Sequence, residues 1–400
     1  MSSGNNTIKY FDMFAGIGGF RAGLERAGGF ECVGHCEMDG HADGAYRAMH
    51  DIKESEVYYE DATKIDAGTL PEFALLCAGF PCQAFSVAGK RKGFSDPRGT
   101  LFFDISRVVE ARKPEYLLLE NVPGLLSHDG GRAFAAILAE ICRLGYGCEW
   151  QVLNSKDFGV PQSRRRVYVV GYLDPRCAGK ILPIRRATAK APVQLRGGRQ
   201  GERVYDPSGP AVTQISRSGS AGGKTGLYFI DLNRGPKVTP EARCLKARYD
   251  SGISGRPAEN SGVLHIKAAT KKGYTEAGTG DSVNIAFPTS NKKRGRVGHG
   301  VAHALLTGST QGVVARSGRI RRLMPRECLR LQGFSEKQID AALSASSDTQ
   351  AYKQAGNAVT VNVVHAIASR LKRAHLEIMA AAAKTGAPAA TKTETETGAA

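Results

Sequence analysis

Three short segments carry side chains whose types and spacing could do chemistry. In Ala78-Gly79-Phe80-Pro81-Cys82-Gln83-Ala84-Phe85-Ser86 a thiol follows a proline at the end of an apolar run, ahead of Lys90, Arg91 and Lys92. A stiff backbone and an electropositive, partly exposed setting favour the thiolate, the nucleophilic form of cysteine. Burial as an inert thiol is the competing reading for any single cysteine, and the better one for Cys77 inside the run. Glu120 closes a second apolar run, Leu117-Leu-Leu-Glu120-Asn121-Val122. There it is either a desolvated proton donor or a carboxylate bonded to backbone amides at a strand end. Gln162, Arg164 and Arg166 share one face if that segment alternates as a strand, so two guanidinium groups could converge on one ligand.

A second set of residues suits a cofactor. Phe11-Asp-Met-Phe-Ala-Gly-Ile-Gly-Gly-Phe20 is a glycine-rich turn between an apolar run and a helical stretch. Such a turn lets a ligand approach the backbone, and the helix N-terminus favours a negative group. The turn alone is equally a tight structural one, since it departs from the spacing of the dinucleotide fingerprint. Glu37, however, lies 21 residues beyond Gly16, where a ribose-binding carboxylate belongs. Asp61 follows the next apolar stretch and could bond an exocyclic amine. Together they point to an adenosine-bearing cofactor.

These segments must be held by something, and the chain between them has a clear rhythm. Apolar runs at Ile8–Phe14, Glu31–Glu37, Phe73–Ala78, Tyr116–Val122, Glu149–Leu153 and Arg166–Leu173 read as buried strands. Helical patterns near 18–28, 40–49, 100–112 and 131–144 alternate with them. That predicts an α/β fold, a parallel sheet covered on both faces, with the candidate residues at the carboxyl ends of its strands. The texture changes after Asp174-Pro175. Residues 175–316 are rich in Gly, Ser, Arg and Lys, with β-like pieces at Gly226–Leu232, Gly262–Ile266 and Ser282–Phe287. Helical patterns return at Pro325–Leu331, Glu336–Ser344 and from about Asn357 to Ala382, before a low-complexity tail.

Composition bounds the function. The 400 residues carry a formal net charge of +17, and the 175–316 segment holds 24 Lys and Arg against 8 Asp and Glu, a net of +16. Charge concentrated in one segment argues for a polyanionic partner, most simply nucleic acid. No apolar run is long enough to span a membrane, and the start lacks the pattern of a secretory signal, so a cytoplasmic protein is expected. The nine cysteines are scattered without a C-x-x-C pair, so neither a disulfide framework nor a metal site is expected. Ser218-Gly-Ser-Ala-Gly-Gly223-Lys224-Thr225 is similar to a phosphate-binding loop but has serine where the first glycine belongs, and is set aside.

In order and spacing, the whole set resembles the DNA (cytosine-5)-methyltransferase family of bacterial and phage type. Phe11–Phe20 is similar to its first cofactor motif, Gly79–Ser86 to its Pro-Cys loop, and Arg98-Gly-Thr-Leu101 to its fifth motif. Glu120-Asn-Val and Gln162–Arg166 are similar to its Glu-Asn-Val and Gln-x-Arg-x-Arg motifs. Arg322–Glu327 and Gly356-Asn-Ala-Val359 are similar to its last two. Met324, Asp104 and Met38 depart from the commoner residues. The resemblance implies a doubly wound, Rossmann-like methyltransferase sheet, discontinuous over 1–175 and 317–380. It also implies a smaller, irregular β-rich target-recognition domain at 176–316, with 381–400 a disordered tail. It implies Cys82 as nucleophile toward C6 of a flipped cytosine, Glu120 as proton donor at N3, and Arg164 and Arg166 orienting the base. It implies S-adenosyl-L-methionine as cofactor, held by Phe14, Gly16, Gly18, Glu37, Met38, Asp61, Leu101 and Asn357.

Double-stranded DNA is the implied partner of a monomer, in a restriction-modification or phage self-protection system whose endonuclease is linked functionally rather than physically. Arg243, Lys246, Arg248, Lys292, Lys293, Arg294 and Arg296 are candidate DNA contacts, each equally readable as a solvated charge. A tRNA-methylating relative and a non-catalytic DNA-binding module are the alternatives. The basic insert argues against the first, and the joint presence of Cys82, Glu120 and both arginines against the second.

Overall fold

In the computed structural model of the chain the described residues are 7–80, 101–184, 264–270, 273–278, 280–285, 295–305, 307, 311–314 and 320–385, with the strands Gln194–Arg196, Val204–Tyr205 and Leu227–Tyr228. The chain divides into two compact units, the first of residues 1–184, 304–309 and 324–400, the second of 185–303 and 310–323.

The first unit is built on a seven-stranded sheet of β1 (Ile8–Met13), β2 (Phe30–Cys36), β3 (Val57–Tyr59), β4 (Leu75–Gly79), β5 (Tyr116–Asn121), β6 (Gly147–Asn154) and β7 (Arg165–Tyr172). The spatial order is β3-β2-β1-β4-β5-β7-β6. Its helices are α1 (Gly19–Ala27), α2 (Gly40–Met49), α3 (Leu101–Arg112), α4 (Arg132–Arg143), α5 (Pro325–Leu331), α6 (Glu336–Ala345), α7 (Asp348–Asn357) and α8 (Val361–Thr385). Strands β1 to β5 are parallel, whereas β7 runs antiparallel to both β5 and β6. The wholly parallel sheet expected from sequence is therefore corrected at this edge. Strands β6 and β7 are joined without a crossover helix, and neighbours joined that way must reverse direction.

Side chains alternate between two cores, as the two-residue period of a strand requires. On one face Phe11, Met13, Leu76 and Leu119 pack with Phe102 and Val108 of α3 and Phe134 and Ile137 of α4. On the other, Tyr10, Cys77 and Leu118 pack with Phe20 and Leu24 of α1 and Val364, Ile367 and Leu371 of α8. A single truncation such as Leu76→Ala in this core costs about 2–5 kcal/mol. Helix α8 also shows why the domain is discontinuous: a C-terminal helix completes a core that the first 180 residues open.

The units part later than composition suggests. Cys177, Ile181 and Leu182 are buried in the first unit's core. The Glu149 carboxylate accepts the backbone N–H groups of Gly179 and Leu182, and the Gln151 amide exchanges two hydrogen bonds with Ile184, at 2.9 and 2.8 Å. This ties 175–184 to β6. On the return, Ile320–Arg322 still pairs with Gln311–Val314 in the second unit, so apart from 304–309 the first unit resumes at 324 rather than 317. Helix α8 reaches Thr385, past the expected start of the tail.

The second unit contains a four-stranded antiparallel sheet in the order Val297–Gly298, Ser282–Asn284, Gln311–Val314, Ile320–Arg322. A hairpin of Leu264–Lys267 and Tyr274–Ala277 and a three-stranded piece are also present. Its described core is small, centred on Ala277, Val283 and Val314.

Candidate active site

Because β1 to β5 are parallel, their carboxyl ends share one edge, and the turns leaving them carry the candidate residues. The turn after β1 reaches α1 through three positive φ angles, Phe14 at 55°, Gly16 at 57° and Gly18 at 80°. Gly18 is required twice over, by that left-handed backbone and by space, since a Cβ there would lie 2.2 Å from the His50 Nε2. A Cβ on Gly19 would lie 2.4 Å from the carbonyl oxygen of Val359. The chain entering α8 thus runs directly against the turn.

After β2, the Glu37 carboxylate accepts the backbone N–H of Gly16 at 2.7 Å and of Asp39 at 2.8 Å. Burial pushes its carboxyl up, and the two amides oppose that. Each oxygen keeps a lone pair for a further donor. Met38 beside it is 63% exposed, unusual for so large an apolar side chain at the rim of a core. Asp39 caps α2 and pairs with Lys353 of α7 at 2.7 Å. After β3, the Asp61 carboxylate accepts from the Thr63 N–H at 3.0 Å and its hydroxyl at 2.8 Å, which hold it below the usual carboxylate range. Leu101 begins α3 half-buried, and Asn357 ends α7 with its side chain exposed.

The ends of β4 and β5 hold the second group. Gly79 is in register with Glu120, and a Cβ on Gly79 would lie 3.7 Å from Glu120 Oε2. Asn121 turns back to donate from Nδ2 to the Phe80 carbonyl at 2.9 Å, while its Oδ1 accepts the Val122 N–H at 2.8 Å. The strand end that runs into Pro81 and Cys82 is held there; Cys82 and the basic residues after it lie outside the described residues, as do the Ser218–Thr225 segment and all the candidate DNA contacts except Arg296. Cys77, by contrast, is fully buried in the core.

Glu120 is buried and, among the described residues, takes no backbone amide. Burial pushes its carboxyl up, with Arg166 and then Arg164 opposing. Arg166 Nε stands 3.1 Å from Glu120 Oε1, an ion-pair distance without the alignment of a hydrogen bond. Arg164 does not join it as a second fork on one ligand. The Arg164 N–H bonds back to the Gln162 carbonyl at 3.0 Å, so the segment turns where alternation was expected. Its guanidinium instead reaches the carbonyls of Leu305, Gly356 and Ala358. Gln162 is likewise buried, donating to the Leu331 carbonyl and accepting from the Leu305 N–H. In the second unit Arg296 is 2% exposed and donates to the Asn284 carbonyl, so its guanidinium faces inward instead of toward a partner.

Two residues at this edge escaped sequence reading. Asn121 was visible only as part of a motif, although an amide beside a candidate acid is itself a signal for backbone anchoring. Asp12 is a lone acid within the apolar run Ile8–Phe14, with no sequence signal of its own. It is fully buried in β1, neither oxygen has a partner among the described residues, and burial pushes its carboxyl up to about 8.

The profile described as C-5 cytosine-specific DNA methylase matches residues 8–373. The Type II methyltransferase M.NlaX of Neisseria lactamica is 34% identical over 369 residues, which are 92% of this chain and 97% of that one. The orphan methyltransferase M.SPRI of Bacillus phage SPR is 30% identical over 427 residues, covering 91% of this chain and 97% of its own. Among solved structures, a methyltransferase of Entamoeba histolytica superposes with a TM-score of 0.52 at 16% identity, over 93% of this chain and 99% of that one, a likeness of fold.

Proposed function

The chain belongs to the C-5 cytosine-specific DNA methylase family, and from that membership we propose that it methylates C5 of a cytosine flipped out of double-stranded DNA, with Cys82 as nucleophile and S-adenosyl-L-methionine as donor. When bound, that cofactor supplies an electrophilic methyl group. The residues of the first edge suit it. A carboxylate fixed by two amides and still able to accept suits ribose hydroxyls, and an exposed methionine beside it offers an apolar surface to a purine. Asp61 keeps an oxygen for an exocyclic amine, and in this reading Phe14, Gly16, Gly18, Leu101 and Asn357 complete the pocket.

Cytosine C5 is a poor nucleophile until the ring is activated. Addition of the Cys82 thiolate to C6, with proton donation from Glu120 to N3, leaves an enamine whose C5 carries the electron pair. Once C5 holds the methyl group, loss of its proton to a base, departure of the Cys82 thiolate and return of the N3 proton to Glu120 restore the aromatic ring. Arg166, beside Glu120, orients that carboxyl and the base. Flipping the nucleotide costs roughly a few kcal/mol, offset by contacts to base and phosphates. The basic 185–303 segment is the target-recognition unit in this reading, its charge serving phosphate contacts. The protein would work as a cytoplasmic monomer, within a restriction-modification or phage self-protection system.

One observation carries this reading: a desolvated carboxyl, Glu120, sits in register with the strand end that leads to Cys82. The test is transfer of labelled methyl groups to duplex DNA, with bisulfite sequencing to locate them. Cys82→Ser is expected to abolish transfer and retain DNA binding. Normal turnover by that variant would remove the nucleophile from the account.

A further inference from the structure

Arg164 is a cation buried in the first unit at 2% exposure, and among the described residues no carboxylate pairs with it. Its terminal nitrogens go to backbone instead, Nη1 to Leu305 O at 3.2 Å, Nη2 to Gly356 O at 3.0 Å and Ala358 O at 2.9 Å. The last two flank Asn357, whose own side chain stays exposed. They also stand at the C-terminus of α7, where carbonyls lack intrahelical partners and the helix dipole favours a cation. The same turn is fixed from its other side. Gln332 donates to the Ala355 carbonyl and accepts from the Thr360 hydroxyl at 2.9 Å, and Thr360 bonds Ser155, also at 2.9 Å. Ser155 closes the circuit: its N–H donates to the carbonyl of Arg164 at 3.0 Å, and its hydroxyl, with one proton to give, lies between that oxygen and Thr360. A planar fork whose two separated terminal nitrogens reach three fixed carbonyls is something the single ammonium nitrogen of a lysine cannot reproduce.

We propose that Arg164 is a positioning residue for Asn357: it fixes the turn that presents Asn357 to the methyl donor, and does not itself act on the cytosine. This rests on the reading above that Asn357 lines the donor pocket.

The test is calorimetric affinity of the full chain for S-adenosylhomocysteine, in wild type, Asn357→Ala, Arg164→Lys and the double variant. Arg164→Lys is expected to weaken binding about tenfold or more, the scale of a lost charge-assisted bond. The double variant is expected to be no weaker than the worse single one, because both changes remove the same contact. Hydrogen exchange at residues 355–360 is expected to speed up in Arg164→Lys while DNA affinity holds. Should that variant fold poorly, Ser155→Ala, which removes the hydroxyl linking the Arg164 carbonyl to Thr360, is expected to weaken binding in the same sense. Wild-type donor affinity in Arg164→Lys with lost turnover would overturn the proposal in favour of a direct role at the base, and additive effects in the double variant would overturn it as well. An Asn357→Ala variant that binds normally would instead remove the pocket reading beneath it.

Discussion

The two halves of the catalytic edge treat their acids differently. At the ends of β2 and β3, Glu37, Asp39 and Asp61 each accept backbone N–H groups. At the ends of β4 and β5, Glu120 accepts none among the described residues, where only Arg166 and Arg164 offset its burial. Amide donors support an anion that goes on accepting, as ribose hydroxyls and amines require. Burial pushes both Glu37 and Glu120 up; at Glu37 two amides oppose the shift, whereas desolvation without amides favours a carboxyl that can deliver a proton. One sheet thus supplies an acceptor set for a cofactor and a donor for a base, and the difference lies in where the backbone N–H groups point.

The sharpest break of this contrast is Glu120→Gln, which keeps shape but cannot deliver a proton. Turnover is expected to fall by about 10²–10⁴, with donor affinity within about twofold of wild type, measured by single-turnover transfer and calorimetry. A comparable effect on stability is expected at Asp12, the amide-free acid of the other half. Its carboxyl is pushed from 3.8 to about 8, so the folded state keeps a proton that the unfolded chain loses above its own lower pKa. Stability from this group is full below pH ~4, declines as pH rises, and is lost above pH ~8, to the extent of several kcal/mol at most. Urea midpoints against pH are expected to show that decline in wild type and a flatter profile in Asp12→Asn, with the variant the more stable at the alkaline end.

Smaller effects are expected from the amide-fixed acids. Glu37→Gln keeps one acceptor oxygen and is expected to weaken donor affinity about 10- to 100-fold with little change in turnover at saturation. Asp61→Asn, at a half-buried side chain already bonded to Thr63, is expected to cost only a few-fold. If Asp61→Asn lost more than Glu37→Gln, the ordering by burial would be wrong.

How far the sequence carries depends on the kind of interaction. β1, β2, β4 and β5 were legible because buried parallel strands are nearly continuous apolar runs, and α3 and α4 because their apolar residues keep a helical period. Strand direction is not encoded in such a run, so the reversal at β7 was not visible. Helix α7 was missed because Asp348–Asn357 is largely polar and buries only Ala351, Gln354, Ala355 and Gly356. Glu120 and Glu37 could be placed by their position after apolar runs. Arg164 could not, because its fate depends on a local turn at 162–164 and on carbonyls almost 200 residues away. The domain boundary moved for a similar reason: the Glu149 and Gln151 bonds to 179–184 pair side chain with backbone at long range and leave no compositional trace.

The most direct test of the contrast is the pH dependence of single-turnover methyl transfer to duplex DNA at saturating donor, in wild type and Glu120→Gln. The account predicts a wild-type rate that falls on the alkaline side as Glu120 loses its proton, and a slow Glu120→Gln rate in which that alkaline fall is absent. An identical alkaline fall in the variant, or a variant rate within about twofold of wild type, would contradict it.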